Sequence, residues 1–148
     1  MKKCKCCKKD KPVDDFRRGR KSCIDCDKQN LYRIRKERKD LLWKIKTKLD
    51  CVICGEKEPI CLDFHHKVGS EKKFKIAKAE SKSWENIMKE LEKCVILCSN
   101  CHRKLHHYLD NKIDHELLEK VKNSPTIKRN NLRSISKKKW WRLLTKIE

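Results

Sequence analysis

Residues 98–107 read CSNCHRKLHH, and residues 62–66 read LDFHH. Between them these two stretches hold all but one of the chain's six histidines; the other is His115. Adjacent histidines at the end of a short apolar strand make poor core residues, because each ring brings a donor and an acceptor that need partners when buried. The density points instead to convergence on a metal ion or a phosphate. CHRKLHHYL reads as a helix following a C-x2-C turn, and His102 and His106, four apart, lie on one face of it. ICLDF reads as a short strand running into the histidine pair. Alternate strand residues share a face, so Asp63 and His65 point one way and His66 the other.

The cysteines extend the pattern. Cys51-x2-Cys54 and Cys98-x2-Cys101 are two knuckles, each presenting two sulfurs on one tight turn, which is half of a tetrahedral zinc site. Gly55 follows the first of them, where the turn needs a permissive backbone. Cys4-x2-Cys7 and Cys23-x2-Cys26 repeat the arrangement at zinc-ribbon spacing. Two structural zinc ions are therefore expected. A four-thiolate zinc has no open coordination position, so it serves as a clamp. The second clamp ties the start of the histidine helix to the chain just before LDFHH. That brings His65, His102 and His106 together as an open site for a divalent cation, with His66 free as a base. Of the remaining cysteines, Cys6 competes with Cys4 or Cys7 as a ligand, while Cys61 (in PICLDF) and Cys94 (in KCVIL) read as small core residues.

The chain carries 42% charged and 6% aromatic residues in 148, so one large core is excluded and small metal-stapled units are favoured. The formal net charge of +20 survives two tetrathiolate zinc sites as a strong positive excess. Such a surface favours a polyanion, nucleic acid before an anionic membrane. No apolar run is long enough to span a bilayer, and MKKCKCCKKD lacks the apolar stretch of a signal peptide. A cytoplasmic, reducing setting is expected, where cysteines hold metals rather than disulfides.

Four segments follow. Residues 1–27 form an N-terminal zinc module whose few apolar residues are Val13, Phe16 and Ile24. Residues 28–50 form a basic linker helix, with Leu31, Ile34, Leu41 or Leu42, Ile45 and Leu49 near a 3.6-residue period. Its one-sided charge suits phosphate contact through Arg33, Arg35, Lys36 and Arg38. Residues 51–110 carry the second zinc pair and the histidines, with a turn at 68–70, KFKIA as a second short strand, and SWENIMKELEK as a helix capped by Ser83. Residues 111–148 form a basic tail. It opens with a short helix over 114–122, and Arg129, Arg133, Lys137, Lys138, Lys139 and Arg142 are candidate DNA contacts. Trp140 and Trp141 stand in its last amphipathic stretch, one as a docking residue and one exposed.

CVICGE, LDFHHKVGSEKKFKI and ELEKCVILCSNCHRKLH together resemble the HNH endonucleases, the ββα-metal nucleases; the likeness covers residues 51–107. The N-terminal CKCCKKDKPVDDFRRGRKSCIDC resembles a zinc finger found on some phage HNH proteins. The fold so implied is small α+β, a ββα-metal core with a structural zinc, beside a zinc-ribbon-like module and basic helices. The resemblance implies that His65 binds a divalent cation and that His66 is the general base. It further implies His102 as a second ligand, His106 as a third ligand or a phosphate contact, and Asp63 as an orienting acid; His107 is a weak candidate. The implied activity is metal-dependent hydrolysis of phosphodiester bonds in double-stranded DNA, with Mg, Mn, Ni or Zn as the cation. A homing, restriction or packaging role, nicking or double-strand cleavage, and the oligomeric state stay open. A non-catalytic zinc-finger nucleic-acid-binding protein is the alternative. The family's middle asparagine falls on Lys93, where Asn86 or Glu90 stand as substitutes.

Overall fold

The computed structural model describes residues 1–111 and 115–128. The candidate contacts Arg129, Arg133, Lys137, Lys138, Lys139 and Arg142, and the pair Trp140 and Trp141, lie outside the described residues. Two compact units are present, Met1–Lys39 and a second that begins at Asp40.

In the first unit, β1 (Lys2–Lys3) pairs antiparallel with β2 (Asp10–Lys11) around the first knuckle. Helix α1 (Ile24–Lys46) starts inside the second knuckle, earlier than the apolar period alone indicates. Its first turn carries Asp25 and Asp27, which suit the positive end of a helix. Cys4 and Cys23 are the buried residues here; Val13 is exposed, and Phe16 is half-buried with the Lys2 ammonium 4.9 Å from its ring centre. The unit thus has almost no apolar core, and the sulfur cluster takes its place.

The second unit is built on an antiparallel hairpin of β3 (Leu62–His66) and β4 (Cys94–Cys98), in register from Leu62 opposite Cys98 to His66 opposite Cys94. Helix α3 (Ser99–Asn111) leaves β4 without an intervening loop, giving a ββα unit. Between the strands lie short 3-10 turns and α2 (Trp84–Leu91), capped by the Ser83 hydroxyl, which accepts the Asn86 N–H. Ile87, Met88 and Leu91 bury one face of α2. They meet Leu62, all five residues of β4, Leu105 of α3, and Leu41, Leu42 and Ile45 from the last turns of α1. Helix α4 (His115–Asn123) adds Val121, and the segment after it adds Ile127. The unpaired edge of β4 is closed from two sides: Val52 N–H donates to Ile96 O at 3.0 Å and Ile127 N–H to Cys94 O at 3.0 Å.

The two knuckles at Cys4–Cys7 and Cys51–Cys54 share one backbone design. Lys8 N–H donates to Cys4 O and Gly55 N–H to Cys51 O, while Cys4 N–H and Cys51 N–H reach forward to Lys9 O and Glu56 O. Both turns need a positive φ at the residue after the second cysteine, 63° at Lys8 and 76° at Gly55. Glycine meets that need without strain in one and lysine bears it in the other.

Two expectations change. KFKIA is not a strand: residues 73–75 are irregular and Ile76 opens a 3-10 stretch to Ser81. The N–H groups of Lys73 and Phe74 go to the Glu90 carboxylate, which takes donors that a neighbouring strand would otherwise accept. The partner strand is CVILC instead. Cys94 is buried as expected, but Cys61 is exposed. It ends a 3-10 turn, Pro59–Cys61, and the strand starts only at Leu62, so the in–out alternation does not reach back to it.

Candidate metal and active site

The sulfurs of Cys4, Cys7, Cys23 and Cys26 lie within 4.8 Å of one another, as do those of Cys51, Cys54, Cys98 and Cys101. Cys4 and Cys26 Sγ are 3.9 Å apart and Cys54 and Cys98 Sγ 3.6 Å. Zinc–sulfur bonds of about 2.3 Å at tetrahedral angles put sulfurs ~3.8 Å apart, so both clusters fit a zinc ion. Disulfides, with sulfurs about 2.05 Å apart, do not describe these pairs. Peptide N–H groups aim at the sulfurs, as Cys23 N–H does at Cys4 Sγ (3.3 Å) and Cys101 N–H at Cys98 Sγ (3.4 Å). Burial pushes the Cys4 thiol up, yet hydrogen bonds from the backbone of Cys23, Cys7 and Cys6 outweigh it and bring it down to about 6. Burial likewise opposes Cys51, and backbone donors carry it down to about 7. One thiol in each cluster is thus drawn toward thiolate, the form that binds a metal, while a hydrogen bond with Cys23 pushes Cys26 up in the first cluster and burial pushes Cys101 up in the second. Cys6 is exposed and stands outside the first cluster.

The third constellation joins β3 to α3. The ring nitrogens of His65, His102 and His106 include a set within 4.8 Å of one another. The His65 ring centre is 5.0 Å from that of His102 and 5.2 Å from that of His106, both edge-on. The Nε2 atoms of His102 and His106 are 3.2 Å apart. Nitrogens bound to one zinc-like cation at about 2.0–2.1 Å stand ~3.3 Å apart at tetrahedral angles, so the spacing suits two ligands of one ion. Asp63 supplies the orientation. Its Oδ2 lies 3.3 Å from His102 Nδ1 and accepts the Ser99 hydroxyl at 3.2 Å. A carboxylate on Nδ1 keeps the proton there and leaves Nε2 with its lone pair for a metal. Burial, then the neighbouring His102 and His106 rings, hold His65 down at about 4, and burial also lowers His106. These imidazoles are neutral near pH 7, as metal ligands must be. Three imidazole nitrogens with one carboxylate behind them fit a divalent cation that keeps open positions.

His66 points to the other side of the hairpin, as the alternation requires. It is not free: its Nε2 lies 2.9 Å from Oε1 of Glu90, and both groups are buried. Burial raises the Glu90 carboxyl, but hydrogen bonds from Lys73 N–H, Lys93 and His66 outweigh it and lower it below the usual range. Besides standing as a substitute for the asparagine, Glu90 carried a second signal in sequence: it is a charged residue three positions after Ile87 and next to Leu91, on the helix face that the apolar residues define as buried. His107 faces elsewhere and is exposed, with Asn111 Nδ2 3.3 Å from its Nδ1.

The proposed DNA contacts on α1 belong to the first unit. Arg35 and Lys36 are exposed, Arg38 is half-buried, and the Arg33 guanidinium donates to Glu37 at 2.7 Å and Asn30 at 2.8 Å. Among the described residues, no helix is long and apolar enough to cross a membrane. Comparison with known protein families, with curated proteins and with solved structures finds no match.

Proposed function

We propose that the chain is a metal-dependent DNA endonuclease of the HNH, ββα-metal kind, acting on double-stranded DNA. The observation that carries this reading is the convergence of His65, His102 and His106 across a ββα unit, with a second histidine, His66, next to His65 on the same strand. A purely DNA-binding zinc protein has no use for a third, open ligand set beside two closed ones. The excess of basic residues supports a polyanionic substrate.

In this reading His66 takes the proton from an attacking water as that water adds to phosphorus. The bond from phosphorus to the 3′ oxygen breaks, and the departing oxygen takes a proton from solvent, leaving a 5′ phosphate and a 3′ hydroxyl. His65, His102 and His106 would hold a divalent cation, which would supply positive charge to the phosphate and the departing oxygen. Asp63 keeps His102 in the ligating tautomer. Arg35 and Lys36, with the basic tail, hold the duplex by its phosphates.

The test is single-turnover cleavage of a duplex. His66→Ala removes cleavage and leaves DNA affinity nearly unchanged, because a base contributes little to ground-state binding. His65→Ala also inactivates, and raised metal partly restores it. Rescue by metal of the His66 variant instead would reverse the two roles, and an active His66→Ala protein would remove that residue from the mechanism.

A further inference from the structure

We infer that Glu90 is a positioning residue for His66, fixing the ring's orientation and tautomer, and that Lys93 braces the loop on which this depends. The inference rests on reading His66 as the general base.

Glu90 is 1% exposed. A carboxylate buried that deeply persists only if its oxygens are occupied. Oε1 faces His66 Nε2 at 2.9 Å, Lys73 N at 2.7 Å and Phe74 N at 3.4 Å, and Oε2 faces Lys93 Nζ at 3.2 Å. Lys93 Nζ also donates to Glu71 O at 2.8 Å. An ionised carboxylate only accepts, so the proton in the contact with His66 sits on Nε2. Nδ1 then carries the lone pair, and the ring is held in one orientation with that nitrogen ready to take a proton.

The arrangement also accounts for Lys93, which stands where the resembled family has a loop-bracing asparagine. Here the work is divided between two residues three apart. The Lys93 ammonium reaches across to the Glu71 carbonyl and braces the loop after β3. Glu90 holds the next part of that loop through the Lys73 and Phe74 N–H groups, and its Oε1 also holds the imidazole. A carboxylate serving the loop alone would be satisfied by those two N–H groups and Lys93; the short contact to His66 is the additional feature.

Two readouts on the intact, zinc-loaded protein test this. Nitrogen-15 histidine spectra, with the His66 signals assigned by their loss in His66→Ala, should show His66 protonated at Nε2 in the wild type. In Glu90→Gln, which keeps the volume and one acceptor but loses the charge, the Nε2–H preference should weaken. Single-turnover cleavage by Glu90→Gln should fall about 100-fold or more, the scale on which losing an orienting carboxylate acts on a catalytic histidine, with DNA affinity unchanged. Wild-type His66 protonated at Nδ1 overturns the inference, even if Glu90→Gln fails to fold. An active wild type with Glu90→Gln cutting at the same rate overturns the positioning role alone. Nε2–H on His66 in a protein that cuts no DNA under any divalent metal overturns the nuclease reading, and Glu90's part in catalysis with it.

Discussion

Asp63 on β3 stands 3.3 Å, through Oδ2, from Nδ1 of His102 on α3, so a strand residue sets the tautomer of a helix residue 39 positions later. The same Asp63 oxygen shares with the Cys61 carbonyl the hydroxyl of Ser99, the first residue of α3. One carboxylate thereby fixes both the start of the helix and the ring it presents. Asp63→Asn should weaken divalent-metal binding at the triad by about 10–100-fold, the usual effect of removing a partner behind a ligating histidine. Asp63 is half-exposed, so the melting temperature of the zinc-loaded protein should move little. A metal titration indistinguishable from wild type would remove Asp63 from the site.

The two zinc clusters should differ in what they support. Cys98 lies at the end of β4 and its knuckle runs into α3, whereas Cys23 serves a unit whose buried residues are cysteines. Cys98→Ser should unfold the second unit, and Cys23→Ser should leave it folded while weakening DNA binding. Elemental analysis should find two tightly held zinc ions per chain. A Cys98→Ser protein that melts like wild type would contradict the account.

Lys8 and Gly55 occupy the same place in two knuckles, both at positive φ. Relieving the lysine should help: Lys8→Gly is expected to stabilise the first unit by about 1 kcal/mol. Gly55→Ala should cost the second unit a similar amount, although nothing lies within 4 Å of the added carbon, because the strain is in the backbone. Thermal melts of the two variants should shift in opposite directions; shifts in the same direction would show that the knuckles do not share this design.

The basic tail should be separable from the core at a defined point. Ile127 is buried and its N–H closes the edge of β4, so a cut before it removes core as well as charge. Ile127→Ala should cost about 2–4 kcal/mol of stability. Ending the chain after Lys128 should spare stability but remove the basic residues from Arg129 onward. If about half of these touch phosphates, the slope of log K against log salt should become shallower by about 3. An unchanged slope would assign the tail to some other task.

Much of the site could be read from spacing, because metal ligands obey it. The C-x2-C pairs named both sulfur clusters, and the i, i+4 pair on a helix with alternation on a strand gathered His65, His102 and His106. The second strand could not be read this way. CVILC is buried throughout, and a continuous apolar run has no period by which to tell strand from helix. KFKIA alternates as a strand should, but its N–H groups meet a side chain. That capture also explains why the sequence offers Glu90 only as a substitute for the asparagine and does not show its contact with His66: its partners, His66, Lys73 and Lys93, become a set only once the loop has folded around it. The core likewise draws on Leu41, Leu42 and Ile45 before residue 51 and on Val121 and Ile127 after residue 110, a long-range closure that no local pattern encodes.

Supercoiled plasmid incubated with the zinc-loaded protein, with and without added Mg²⁺, Mn²⁺, Ni²⁺ or further Zn²⁺, tests the central claim most directly. The account predicts conversion to nicked or linear DNA bearing 3′ hydroxyl and 5′ phosphate ends, dependent on the added metal and absent with His66→Ala. Tight binding of the plasmid with no conversion under any of the four metals would contradict it and leave a zinc-stapled nucleic-acid-binding protein.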